Sequence, residues 1–182
     1  MFCFPNFIFF NIVQMKLTKK ILVFLLVTLA AMQFFRPEKN IAAAPFPNDI
    51  ATIYPRPAEV DTILKKACNN CHSNNTNYPW YNNFQPISGW LHDHVKEGKR
   101  EVNFNEFASY RIGKQYRKLL EIKEQVEQDE MPLSSYTFIH TNAKLTKQEK
   151  DVLINWTETL RSTVRANYPA DSLVIKRKLY NE

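Results

Sequence analysis

Along most of this chain the apolar residues recur with the period of a helix, not of a strand. Val60, Ile63, Leu64, Ala67, Cys68 and Cys71 fall at i, i+3, i+4, i+7, i+8 and i+11, which is one helical face. The spacing predicts a helix from about Ala58 to the two cysteines, with both thiols on its apolar side. A second helix is expected from Pro86, a good first-turn residue, to about Glu97. In it Ile87, Trp90, Leu91 and His94 form the apolar face, and Gly98 reads as its end. Asn103-Phe104-Asn105-Glu106 has the N-cap form that opens a short helix. A longer helix is expected over 111–129, striped by Ile112, Tyr116, Leu119, Leu120 and Val126. Thr146-Lys147-Gln148-Glu149 is a capping box. It starts a last helix that places Trp156 on the packed face.

Elsewhere the period is lost. Ser73 to Phe84 is polar, aromatic and proline-containing, and reads as a loop. Its Tyr78-Pro79-Trp80-Tyr81 could wall a cofactor or cover the edge of the core. Residues 40–57 are rich in Pro and Ala and read as an extended linker. Ahead of them Lys16, Lys19 and Lys20 precede a nearly unbroken apolar run from Ile21 to Phe35. That pattern fits a secretory signal or a short signal-anchor. No clean cleavage site ends the run, so an uncleaved N-terminal anchor is expected, with the domain outside the cytoplasm on the positive-inside rule. Residues 1–14 are unusual before such a segment. The expected translation start is Met15, which would remove Cys3. The plan is therefore a signal or anchor segment (1–39), a linker (40–57), one domain (58–168) and a loose tail (169–182).

Composition narrows the class. Only 3 glycines among 182 residues, with 45% hydrophobic content, argue for an all-α domain, a small helical bundle. The net charge of +6 includes the three N-terminal lysines, and beyond them 21 Lys and Arg face 18 Asp and Glu. That balance gives no expectation of a nucleic-acid partner. Arg111, Lys114, Arg117 and Lys118 make one helix half basic, which reads either as a solvated face or as a site for an acidic partner or for the anionic groups of a cofactor.

The chemistry is concentrated in Cys68-Asn69-Asn70-Cys71-His72. The form C-x-x-C-H is the attachment signature of a c-type haem. Two thiols add to the two vinyl groups, and the next residue, His72, offers an imidazole to the iron. A bare C-x-x-C could instead be a redox dithiol, but no βαβ pattern surrounds it. It could also be half of a zinc site completed by histidine, giving a zinc-stapled interaction domain. His92 and His94, however, lack the usual H-x3-5-H spacing. For the opposite side of the iron the favoured ligand is Met131, in Asp129-Glu130-Met131-Pro132, where Pro132 is expected to stop the preceding helix. His140 in the same loop is the second candidate and His94 the third. His92 lies about 200° round the helix from His94, so the two cannot face one iron. One haem with two protein ligands implies one-electron transfer with a redox partner protein. An open sixth site would imply gas sensing or peroxide reduction. Paired carboxylates, an activated serine and a phosphate-cradling glycine loop are all missing, so an electron carrier is expected rather than an enzyme.

These residues carry a resemblance. Cys68 to His72, Tyr78 to Trp80, Trp90 with His94, Gly98 to Arg100, Asn103-Phe104, Met131-Pro132, Tyr136 with His140, Leu145 to Glu149, and Trp156 occur in an order that resembles the bacterial haem-binding domain family of small exported mono-haem proteins. The resemblance spans about residues 40 to 160. It implies covalent binding of one haem c, attached outside the cytoplasmic membrane, and names no reaction. The Met-Pro pair before a capped final helix is also similar to the layout of small cytochromes c. It implies a cytochrome c-like bundle on the periplasmic side of the cell envelope.

Overall fold

A computed structural model describes residues 16–174. Met15 and Cys3, on which the expectation about the start rests, lie outside the described residues, as does the tail beyond Val174. Among the described residues the regular elements are all helices, with one isolated bridge between Ile41 and Asn75 in place of any strand. The helices are α1 (Leu17–Met32), α2 (Ala58–Ala67), α3 (Asn69–His72), α4 (Ile87–Glu101), α5 (Ile112–Glu127), α6 (Ser134–Ile139), α7 (Lys147–Asn167) and α8 (Ala170–Leu173). The all-α expectation is thus met. The residues fall into two compact units: 16–38 with 79–93, and 39–78 with 94–174.

In the first unit, α1 buries none of its side chains. Its 16 residues rise about 24 Å, against about 30 Å of bilayer hydrocarbon. Among the described residues no helix is long and apolar enough to cross a membrane. Gln33, just past α1, is bound to the backbone of Gln85: its Oε1 accepts from the Gln85 N–H at 2.9 Å and its Nε2 donates to the Gln85 carbonyl at 3.2 Å. The loop expected over 73–84 includes one short 3-10 turn, Trp80–Asn83.

The second unit holds the core: Val60, Ile63 and Leu64 of α2, Phe104 and Phe107 of a 3-10 turn, Leu119 and Val126 of α5, and Leu153, Trp156 and Leu160 of α7. Burying side chains such as Leu64, Leu119 and Leu153 contributes about 1.5–3 kcal/mol each. The largest helix–helix packing is α5 on α7. The capping box of α7 is present in full, with Thr146 accepting from the Glu149 N–H and Glu149 accepting from the Thr146 N–H.

Four local expectations change. Segment 40–57 contributes to the core: Ile50 is fully buried, Trp156 Nε1 donates to the Pro55 carbonyl at 3.0 Å, and the Tyr54 hydroxyl donates to Gln115 at 2.7 Å. Gly98 does not end α4, which continues to Glu101 with no glycine at positive φ. Along α4 the buried positions are Ser88, Leu91 and Val95, while Ile87 and Trp90 are 42% and 44% exposed, so the helix is rotated from the expected face. The basic half of α5 is largely tied up: Lys118 is buried and paired with Glu101 and Glu121 at 3.0 and 2.6 Å, Arg117 pairs with Glu121, and Lys114 lies over the Tyr110 ring. Burial opposes the charge on Lys118, but the two carboxylates outweigh it and hold the ammonium above its ordinary value.

Candidate functional site

α2 ends at Ala67, and Cys68 takes φ −120° and ψ −44° to start the single turn α3. This break splits the expected continuous helix. It also lets the five motif residues curl back on themselves, with the N–H groups of Cys71 and His72 both donating to the Cys68 carbonyl at 3.1 and 3.0 Å. Cys68 packs against the core, and both cysteines are half-buried and free. Burial pushes the Cys68 thiol up to about 12, with Cys71 adding to the effect, and burial raises Cys71 as well. A redox dithiol needs the opposite, a thiol lowered toward neutrality. Its chemistry is therefore not supported here.

His72 is held on the same turn. Its Nδ1 lies 3.0 Å from the Val102 carbonyl oxygen. A carbonyl only accepts, so this bond requires the proton on Nδ1 and leaves the lone pair on Nε2. That is the tautomer a metal-ligating histidine adopts when its second nitrogen is anchored. Burial pushes the imidazole below its ordinary value, partly opposed by the Val102 and Gly98 backbone and by Glu101. Phe104 packs edge-on against the ring at 6.3 Å.

α4 reaches this turn at Gly98. A Cβ built on Gly98 would lie 2.7 Å from the Cys71 carbonyl oxygen and 3.0 Å from Cys71 Cβ. Only glycine allows this approach. It places Val102, four residues further on, where its carbonyl meets His72. His94 is half-buried and sits one turn before Gly98 on the same side of the helix. His92 has its Nδ1 3.2 Å from the Glu38 carbonyl, in keeping with its place on a different face.

The loop after the motif is fixed by amides. Asn74 accepts from Asn103 Nδ2 at 2.7 Å and donates to Glu106 at 2.7 Å, while its backbone N–H donates to Asn105 at 2.8 Å. Asn40 Nδ2 donates to the Ser73 carbonyl and to Thr76. Tyr78 accepts from the Asn40 N–H, whereas Trp80 is largely exposed.

The Met131–His140 segment meets the motif through Asn70, one of the two residues between the cysteines. Asn70 Nδ2 donates to the Tyr136 hydroxyl at 2.8 Å. Burial raises the Tyr136 phenol, the Asn70 bond opposes this, and both cysteine thiols add to it. His140 stacks on the Tyr136 ring at 4.4 Å and 26°. Met131 is half-buried, with its N–H donating to the Gln125 carbonyl at 3.0 Å. The chain turn before it comes from Asp129, at φ 60°, after α5 has ended at Glu127, and not from Pro132. Gly98, Val102, Asn70 and Tyr136 were not singled out from sequence as site residues. Asn70 stands inside the motif, and Tyr136 precedes His140 by one helical turn, which is the signal that could have found them.

Among the described residues no three His, Cys, Asp or Glu side chains gather as a metal-ligand set. The donors fit haem: two unbridged thiols three residues apart and an imidazole with Nδ1 anchored. Residues 27–159 match a family model described as haem-binding domain. No curated protein and no solved structure matches the chain. The match covers well over half of the chain and encloses the motif, Met131 and His140. The chain belongs to the haem-binding domain family.

Proposed function

We propose that this protein carries one haem c, bonded through Cys68 and Cys71, and passes single electrons in the cell envelope. The observation that carries the reading is the His72 bond to Val102, which leaves the Nε2 lone pair free and would let it ligate the iron, beside two unbridged thiols. Attachment would add each S–H across a vinyl double bond, the sulfur joining one carbon and the hydrogen the other, with no net oxidation. The bound iron supplies a one-electron couple. The chain's own residues hold the ring of His72 and pack Phe104 edge-on against it, and Met131 would be the favoured second ligand of the iron, with His140 and His94 behind it. A thioether there would raise the reduction potential relative to a second imidazole. The basic, then apolar, N-terminal segment supports anchoring with the domain on the periplasmic side, where a redox partner protein would dock.

One observation favours a second reading with an open sixth site. Tyr136, bound to Asn70 between the two cysteines, stacks on His140, and such a pair could serve as distal hydrogen-bond donors for a diatomic gas or peroxide. Production of the full chain with haem-attachment machinery tests both readings. A pyridine haemochrome that survives acid-acetone extraction is expected, and absence of covalent haem overturns the proposal. A reduced low-spin spectrum that ignores carbon monoxide supports electron transfer, whereas rapid carbon monoxide binding favours the open site.

A further inference from the structure

We propose that the exposed aromatic surface of the first unit is a collar seated in the lipid–water interface at the C-terminal end of α1. The inference rests on the reading of the N-terminal segment as a membrane anchor and adds a docking surface to it. α1 buries no side chain of its own, and its length falls about 6 Å short of the bilayer hydrocarbon. The apolar sequence continues past it into Phe34 and Phe35, which are 88% and 77% exposed. The same unit presents Trp80, 76% exposed, with Phe84 packed edge-on against it at 6.1 Å, and Ile87 and Trp90 on the outward side of α4.

These two apolar stretches are held in register. Gln33 makes both amide bonds to the Gln85 backbone, and Gln85 Nε2 donates to the Phe35 carbonyl at 2.6 Å. The amides thus satisfy each other at the point where the chain leaves α1. Apolar rings can then enter a poorly hydrated layer without stranding backbone groups beside them. Tryptophan and its neighbours favour this layer, because the ring is apolar and the indole N–H still reaches water. Arg36, exposed directly after Phe35, can reach lipid phosphates. At the opposite end of α1 stand Lys16, Lys19 and Lys20 with no acidic residue among them, which suits the headgroups of the other leaflet. A short helix with lysines at one end and an aromatic collar at the other has anchors for both interfaces. The occupant of the surface is therefore a lipid bilayer.

The test uses the full chain reconstituted into phosphatidylcholine vesicles brominated near the headgroup end of the acyl chains. Flotation reports attachment, and bromine quenching of tryptophan emission reports the collar. Quenching of the wild type is expected, reduced in W80F and W90F and abolished in the double variant, where only the buried Trp156 remains. Both substitutions are at exposed positions. Unquenched emission from protein that floats with the vesicles overturns the collar and leaves the anchor standing. Protein that does not float overturns both. Emission shielded from bromolipid and from aqueous iodide alike overturns the proposal in favour of a protein covering the surface.

Discussion

On the Val102 side of the attachment turn, His72 is fixed by a carbonyl, a phenylalanine edge and a helix that comes to van der Waals contact at Gly98. On the Met131–His140 side, Tyr136 meets the same turn through its hydrogen bond with Asn70. The first side is part of the core, with Phe104 and Val102 buried. The second carries Phe138 at 85% and Ile139 at 56% exposed. The contrast separates two tasks. The residues proposed for attachment and proximal ligation lie against the packed core of the second unit. The proposed distal candidates lie in a short segment whose tip is exposed.

The largest effect should come from the motif. C68A/C71A should abolish covalent haem, measured as loss of haem stain after denaturing electrophoresis, while far-ultraviolet circular dichroism keeps its helical form. Next is G98A. The new methyl would meet a backbone carbonyl, which cannot swing aside, so a loss of about 1–3 kcal/mol is expected in urea unfolding. The yield of attached haem should fall with it. Retention of full stability would mean that α4 can slide, and the proximal side would no longer be the rigid one.

Y136F probes the other side more gently. It leaves Asn70 Nδ2 without its acceptor but keeps a ring for His140 to stack on. A cost of about 1 kcal/mol is expected, together with a larger change in the distal spectrum than in stability. Faster carbon monoxide binding with unchanged haem yield would sharpen the comparison. A loss of haem yield as large as that of G98A would break it.

What could be read from the sequence follows the range of the interaction. The capping box of α7 was legible because Thr146 and Glu149 are three residues apart. The apolar face of α2 was legible because the helical period alone defines it. Gly98 was misread because the partner that demands a glycine there, Cys71, lies 27 residues away in sequence and is brought close only by the fold. The rotation of α4 has the same origin, since hydrophobicity favoured Ile87 and Trp90 whereas the residues found buried are Ser88, Leu91 and Val95. Ile50 was lost among prolines for want of any period. Cys68, Cys71 and His72 could be proposed as a site because their spacing is local, while the anchor of that histidine, the Val102 carbonyl, is a backbone group that no side-chain pattern reveals.

The smallest expected effect tests whether support of the proximal side reaches the helix before the thiols. Lys66 of α2 pairs with Glu149 at 2.6 Å, the residue that also closes the capping box of α7. The Lys66 ammonium and the Thr146 N–H hold the Glu149 carboxyl below its ordinary value. A carboxylate whose pKa is lowered by folding stabilises the folded state fully above its unfolded pKa. That contribution drains away as pH falls through the lower, folded value. Stability should therefore be flat through neutral pH and decline in the acid range, with the loss smaller in K66M. Both side chains keep about a quarter of their exposure, so solvent screening limits the pair to about 0–1 kcal/mol. Because Lys66 is two residues from Cys68, the acid loss in the wild type should be accompanied by faster hydrogen exchange in α2 and α3 than in α6. Equal acceleration in all three would mean that the pair supports the unit generally, and the distinction between the two sides of the turn would then rest on Gly98 and Val102 alone.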